Sequence, residues 1–375
     1  MKKSVLIGAG QIGRGFLGQT LDASGYELVF VDASQQLVDT MNREGEYKVI
    51  IMGADEQEQV VRRFQALTPS PDVAKKEMLE ADLVLTAVGP GMLPRVAGMI
   101  AQGIAARHAA KVHRPLDVIA CENMDNGTSE LYGFVLPGLN GDVKDYADEY
   151  VGFPNAEVSR LVMPMQGGKP LTVRVEQYME WIVDRNKVKG DLTGIIGLEL
   201  KDDATPYIKR KMYTLTGHAM LGYYGYMAGY QYTYQAAYDE TIFRKIFRAL
   251  TECGKGWSLE YGLPLDNFME YITIMLRRFS DTRMKDECIR VCREPIRKLA
   301  NDERFIAPAW TAVKHEIAPY SIVDGIRCAM RYDYSGDDQA VRLQSLLKEK
   351  GRGHVLREVC GLAENDELYR LICDE

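Results

Sequence analysis

The first 120 residues alternate between two hydrophobic periods. Ser4-Val5-Leu6-Ile7 is a short apolar run stopped at Gly8, which predicts a buried strand, and a helical pattern begins near Ile12. A second apolar run, Glu27–Val31, ends at Asp32, and a helix is expected over about 34–44. Residues Tyr47–Met52 and 57–67 carry strand patterns punctuated by polar side chains and predict an inserted hairpin. A helical stretch then leads to 82–90, a buried strand that ends in small residues and Gly89-Pro90. Residues 92–110 read as a helix and Leu116–Ala120 as the next strand. Such alternation predicts a parallel sheet covered by helices. From about 150 to 190 the pattern is β-like, with strands expected over 158–162, 171–175 and 179–183. From about 195 the chain reads as amphipathic helices punctuated by Gly and Pro, without strands. The expected class is therefore α/β: an N-terminal Rossmann-type doubly wound sheet followed by a mostly α-helical C-terminal domain. The change of pattern falls at the turn-like Lys189-Gly190-Asp191, giving expected domains 1–190 and 191–375.

Candidate chemistry begins at the first turn. Gly8-Ala9-Gly10-Gln11-Ile12-Gly13 joins strand to helix with glycines at the first, third and sixth positions. Gly8 permits the tight turn, Gly10 lets a pyrophosphate approach the backbone, and Gly13 allows close helix–strand packing. The helix start offers amides and a partial positive charge to phosphates. Asp32, nineteen residues past Gly13, stands where an acid accepts from a ribose 2′-hydroxyl. A 2′-phosphate would be repelled there, and no Arg or Lys follows within several residues. The loop and acid together predict NAD over NADP as the cofactor, with 8–13 and Asp32 binding it.

Two further strand ends belong to the same sheet edge, where ligands of doubly wound sheets lie. Thr86, Val88 and Gly89 border the cofactor on this reading, although an ordinary strand-to-turn junction has the same composition. The cluster Cys121-Glu122-Asn123-Met124-Asp125-Asn126-Gly127 follows the next strand; it can reach a substrate or cofactor, or simply form a turn.

Composition adds exclusions. The chain has 375 residues, 46% hydrophobic and 26% charged, with a net charge of −7. The length suits two domains with sizeable cores. The negative balance argues against nucleic-acid binding. No apolar stretch approaches a membrane span. Lys2-Lys3 precedes too short an apolar run for a signal peptide, so the cytoplasm is the expected compartment. The seven cysteines are scattered without a CxxC pair, which points to reduced thiols and to no metal site.

In the second half, Lys211 and His218 lie seven residues apart, on one face of an unbroken helix. A desolvated lysine can take a proton from an alcohol, and a histidine can orient the hydroxyl. Spacing alone leaves a solvated helix face as the plainer reading. Arg293, Arg297 and Lys298 cluster within six residues, with Arg304 close behind; they suit a phosphate or carboxylate, or a solvated charged face. Tyrosines crowd 207–238, as expected for helix–helix packing with hydroxyls reaching polar partners.

Taken together, several stretches carry a resemblance. Val5-Leu6-Ile7-Gly8-Ala9-Gly10-Gln11-Ile12-Gly13-Arg14-Gly15-Phe16 closely resembles the opening of mannitol-1-phosphate 5-dehydrogenases, within the polyol-specific long-chain dehydrogenase (mannitol dehydrogenase) family. Thr86-Ala87-Val88-Gly89-Pro90, Ala120-Cys121-Glu122-Asn123-Met124, Arg160-Leu161-Val162, Arg210-Lys211 with Gly217-His218-Ala219, and Arg293-Glu294-Pro295-Ile296-Arg297-Lys298-Leu299 continue it nearly end to end. The resemblance implies metal-independent hydride transfer between NAD(H) and a polyol or sugar phosphate, with Lys211 as general acid–base. Asn123 and His218 take the family's other catalytic positions, Glu122 and Asn123 border the cofactor, and Arg293, Arg297, Lys298 and Thr216 are the substrate candidates. Mannitol 1-phosphate and fructose 6-phosphate are the favoured pair. Uncharged polyols, uronates such as fructuronate or tagaturonate, and a diverged NAD-binding protein with little catalysis are the alternatives. A monomer or small homo-oligomer is expected.

Two departures from the family pattern stand out. The family has lysine, four residues, asparagine, two residues, histidine; here the segment is one residue shorter, and Thr216 is the nearest polar substitute for the asparagine. One residue fewer turns a helical lysine by about 100° relative to the histidine, so either the backbone near Gly217 absorbs the turn or Lys211 is misaimed. Ser159 stands where the family has an aspartate that contributes to the substrate pocket.

Overall fold

The computed structural model describes residues 1–53, 55–164, 171–283 and 285–374, which form two compact units, Met1–Ile208 and Lys209–Glu375. Among the described residues of the first unit the strands are β1 (Lys3–Ile7), β2 (Glu27–Val31), β3 (Tyr47–Met52), β4 (Gln57–Val61), β5 (Phe64–Leu67), β6 (Leu83–Thr86), β7 (Leu116–Ala120), β8 (Val151–Gly152), β9 (Ala156–Ser159), β10 (Val162–Pro164), β11 (Val173–Glu176), β12 (Glu180–Asp184) and β13 (Leu198–Lys201). Six of them form the main sheet in the order β5-β2-β1-β6-β7-β8, parallel throughout. This is the doubly wound arrangement: the order reverses at β1, and the crevice at that switch point is where ligands lie. The central strands are mostly apolar and buried on both faces, as strands covered by helices must be.

Two smaller sheets complete the unit, β10-β11-β3-β4 and β13-β12-β9. The 57–67 stretch is not one strand. It breaks at Arg62-Arg63, so β4 pairs with β3 as the expected hairpin while β5 joins β2 in the main sheet. Arg63 marks the switch: its carbonyl accepts from Leu28 and its guanidinium pairs with Asp22. The 158–162 pattern likewise divides between sheets. Arg160 turns inward and donates to the Glu176 carbonyl, and the Leu161 amide donates to the Glu176 carboxylate. The expected 171–175 and 179–183 strands appear one or two residues later, as β11 and β12.

A strand also lies beyond 195. β13 pairs in parallel with β12, Leu198 opposite Trp181, and buries Leu198 and Leu200 toward the core around Trp181. That pairing carries 191–201 with the first unit. The compact units divide at Ile208/Lys209, and Ile208 packs with Ile182, Ala204 and Tyr207.

The second unit is helical among its described residues. Its core gathers Tyr223, Leu250, Trp257, Phe268, Phe305 and Tyr332. The tyrosines pack as expected: Tyr223 donates to the Cys292 carbonyl, Tyr226 to Asp333 and Tyr230 to Asp239. All seven cysteines are free, six of them buried.

Candidate functional site

In the first unit, strand ends and loops gather the predicted residues at one edge. β1 runs into Gly8, whose amide donates to the Val31 carbonyl at 2.8 Å. Gly8 has φ +103°, and a Cβ there would lie 2.4 Å from the Ala87 carbonyl oxygen. A Cβ on Gly13 would lie 2.0 Å from the Gly8 carbonyl oxygen, so the helix start is pressed against the turn. Gly10 is the opposite case. It is exposed, and a Cβ there would meet nothing within 4 Å. The loop is therefore tight where it packs and open where a ligand would approach. The first helical hydrogen bond runs from the Arg14 amide to the Gly10 carbonyl, which leaves the amides of Gln11, Ile12 and Gly13 ahead of the ladder. That is the donor set a pyrophosphate requires.

Asp32 fixes the loop from the next strand. Its Oδ2 accepts from the Ala9 amide at 2.8 Å and its Oδ1 from the Ser34 amide at 2.9 Å. Each oxygen keeps a further lone pair for a ribose hydroxyl. This donor and acceptor set fits NAD. Arg14, absent from the sequence-based candidates, is buried behind the loop and donates to the Ala9 carbonyl. Burial lowers its pKa, while Tyr47 and Asp32 act in the opposite direction.

Glu122 does something the sequence did not suggest. It is 6% exposed, and its Oε1 accepts from the Thr86 hydroxyl at 2.8 Å and the Val88 amide at 3.0 Å. Its Oε2 accepts from the Gly89 amide at 2.9 Å. The carboxylate thus ties the end of β7 to the loop after β6, and it shapes the wall rather than facing outward. Thr86 is buried by the same bond, whereas Val88 and Gly89 stay partly open. Asn123, the next residue, is exposed at the same strand end.

In the second unit, Lys211 and His218 lie on the helix Thr205–Met227, which is continuous through Gly217. No distortion interrupts it, so the backbone near Gly217 does not absorb the missing residue. Seven residues at about 100° each leave the two side chains within about 20° of one another, some 10 Å apart along the axis. An offset of eight residues from His218, the family's spacing, falls on Arg210. Arg210 is buried with its guanidinium 4.1 Å from the centre of the Tyr271 ring, and an arginine cannot accept a proton.

His218 stacks on Phe279, ring centres 4.7 Å apart and planes at 17°, and its Nε2 lies 3.1 Å from Asp286 Oδ2. Asp286 also pairs with Arg290. Burial raises the Asp286 carboxyl pKa, but the hydrogen bonds and charges of His218 and Arg290 outweigh it and hold the group below its ordinary value. No sequence signal linked two residues 68 positions apart.

The substrate candidates fare differently. Thr216 is fully buried, donates to the Arg304 carbonyl and accepts from the Cys253 thiol, so it serves the helical core rather than a cleft. Arg297 is engaged by Glu294 and Glu303, both at 2.8 Å. Lys298 is 5% exposed and donates to the Arg293 carbonyl. Burial, with Arg304 and Arg297 nearby, pushes its pKa down to about 7. Arg293 is exposed. The cluster is thus mostly folded into local structure, because Glu294, three residues before Arg297, and Glu303, in the following turn, both pair with it.

Comparisons with known proteins agree with this architecture. The mannitol dehydrogenase Rossmann domain matches residues 2–197, and the mannitol dehydrogenase C-terminal domain matches 203–373. The chain is 38% identical to mannitol-1-phosphate 5-dehydrogenase of Bacillus pumilus (strain SAFR-032), covering 100% of this chain and 99% of that protein. Among solved structures, Pseudomonas fluorescens mannitol 2-dehydrogenase in ternary complex with NAD and D-mannitol superposes with a TM-score of 0.72 at 17% identity, over 97% of this chain and 87% of that one. D-sorbitol dehydrogenase in substrate-free form superposes with a TM-score of 0.79 at 15% identity, over 98% and 91%.

Proposed function

The chain belongs to the mannitol dehydrogenase family, and on that premise we propose that it is an NAD-dependent dehydrogenase interconverting mannitol 1-phosphate and fructose 6-phosphate. The observation that carries the substrate is the full-length, 38% identical relative, a mannitol-1-phosphate 5-dehydrogenase. The glycine loop, the amides ahead of the helical ladder and Asp32 would hold the cofactor, with Thr86, Val88, Gly89 and Glu122 forming the adjoining wall. Bound NAD supplies the hydride acceptor, and NADH the donor.

The proton is the protein's task. Lys211, in its unprotonated form, takes the hydroxyl proton during oxidation; its ammonium returns a proton during reduction. The Asn123 amide donates to the reacting oxygen as charge develops on it; one such donor is typically worth about a hundredfold in rate. His218 orients a substrate hydroxyl from the same helix face as Lys211. The reaction so described needs no metal.

An uncharged polyol or a uronate is the second reading. Arg297 being already paired and Lys298 being buried favour the uncharged polyol, whereas a uronate carboxylate calls on the same cations as a phosphate. NADH oxidation, followed by absorbance, separates the readings when fructose 6-phosphate, fructose, fructuronate and tagaturonate are offered in turn. Turnover with fructose 6-phosphate alone is the expected result. Turnover with a uronate or free sugar instead moves the substrate and keeps the proton chemistry. NADH binding without turnover of any of the four would overturn catalysis itself and leave a diverged NAD-binding protein.

A further inference from the structure

Asp286 lies outside every motif of the resemblance, yet its carboxylate meets His218 Nε2. The contact is built. The segment carrying Asp286 is pinned by an antiparallel bridge between Tyr232 and Glu287, by the Thr233 amide donating to the Asp286 carbonyl, and by the Cys288 amide donating to the Gln231 carbonyl. Each carboxylate oxygen has its own partner: Oδ1 takes Arg290 at 2.6 Å, and Oδ2 faces His218 Nε2 at 3.1 Å. Phe279 lies flat against the imidazole and limits its rotation.

A carboxylate held ionised by Arg290 can only accept hydrogen bonds. The ring nitrogen facing it must therefore carry the hydrogen, which leaves the other ring nitrogen with a lone pair in the neutral ring. We propose that Asp286 is a positioning residue that fixes His218 as the Nε2–H tautomer, so that Nδ1 presents a lone pair to a substrate hydroxyl. The inference deepens the proposed function and rests on its placement of His218 at the substrate. The hydroxyl that Nδ1 receives is not the reacting one, whose single hydrogen goes to Lys211, so the polyol and the ketose can both offer it.

The tautomer can be read without turnover. The protein has five histidines, so selective ¹⁵N-histidine labelling with long-range ¹H–¹⁵N correlation resolves them, and His218→Gln assigns the signal. The expected spectrum shows Nε2 protonated and Nδ1 bare in the wild type, and a mixture of tautomers in Asp286→Ala. The isosteric Asp286→Asn, checked for folding by circular dichroism, should raise KM for mannitol 1-phosphate about tenfold, the value of one hydrogen bond. It should raise KM for fructose 6-phosphate by a similar factor and leave NADH affinity unchanged. An Nδ1–H tautomer in the wild type overturns the inference. The Nε2–H tautomer with an unchanged polyol KM in both Asp286→Asn and His218→Gln overturns instead the substrate contact on which it rests.

Discussion

The glycine-loop edge of the first unit and the Lys211–His218 face of the second are built from different material. The first is mostly backbone: amides of Ala9, Ser34, Val88 and Gly89, held by carboxylates that are themselves spoken for. The second is side chains on one helix, tuned by groups far away in sequence, such as Asp286 on His218. A backbone site is fixed by sterics, so a methyl group can wreck it. A side-chain site is fixed by local electrostatics, so removing one functional group can silence it while the fold survives. The sharpest contrast lies at Lys211. Lys211→Ala should lower turnover by about 10²–10⁴-fold, the range for a lost general acid–base, while NADH affinity, measured by fluorescence titration, stays at the wild-type value. Retained turnover would assign the proton to another group.

The backbone half is tested by two glycines that differ only in surroundings. Gly13→Ala forces a methyl against the Gly8 carbonyl oxygen and should cost about 1–3 kcal/mol of stability, seen as a lower Tm. Gly10→Ala meets nothing in the protein and should leave Tm unchanged while NADH affinity falls about tenfold or more, because the methyl sits where phosphate approaches. Should Gly10→Ala bind NADH normally, the loop is not the phosphate cradle.

The same division explains what could be read from the sequence. The glycine loop and Asp32 were legible because steric demand is local: a turn off β1, a close helix and an acid at the end of β2 leave their marks within the residues concerned. The split of 57–67 was not legible, because only tertiary pairing tells β4 from β5. β13 was missed since four alternating residues, Leu198-Glu199-Leu200-Lys201, are too few to declare a strand without β12 beside them. Arg14 escaped notice because a cation after a glycine loop reads as surface until the structure buries it. Glu122 was read as a cofactor contact, and its bonds to the loop after β6 depend on two strand ends meeting. Thr216, Arg297 and Lys298 looked available because sequence proximity cannot show that Arg304, Glu303 and Arg293 lie within bonding distance.

A carboxylate that organises backbone stands between the two kinds of site. Glu122→Gln keeps the shape but replaces one acceptor oxygen with an NH₂ group. Placed at Oε2, that group faces the Gly89 amide, and donor meets donor; placed at Oε1, it faces the Val88 amide. Either way a half-buried amide loses its partner, a cost of about 1 kcal/mol. NADH affinity should drop about tenfold with a matching decrease in Tm. An unchanged Tm would mean that the wall after β6 is held by its packing alone.

The smallest effect on cofactor binding and turnover is expected at Lys298, which separates a structural lysine from a substrate-binding one. In the unfolded chain its amine keeps a proton up to about its ordinary value of 10.5; in the fold, burial and the neighbouring guanidiniums release it near 7. Between those limits the unfolded state binds the extra proton, so raising pH favours the fold, by up to about 1.4 kcal/mol per pH unit. Below about pH 7 both states are protonated and the cost of burying the charge is present in full. Lys298→Met retains the stem's packing and removes the titration. Urea unfolding from pH 7 to 10 should show wild-type stability gaining on the variant as pH rises, with the variant the more stable near pH 7. If Lys298 instead grips an anion, the variant should lose sugar-phosphate affinity at neutral pH, and added fructose 6-phosphate should stabilise the wild type alone. Parallel pH profiles for the two proteins would show that the ammonium reaches solvent, and would return Lys298 to the list of groups able to meet a substrate.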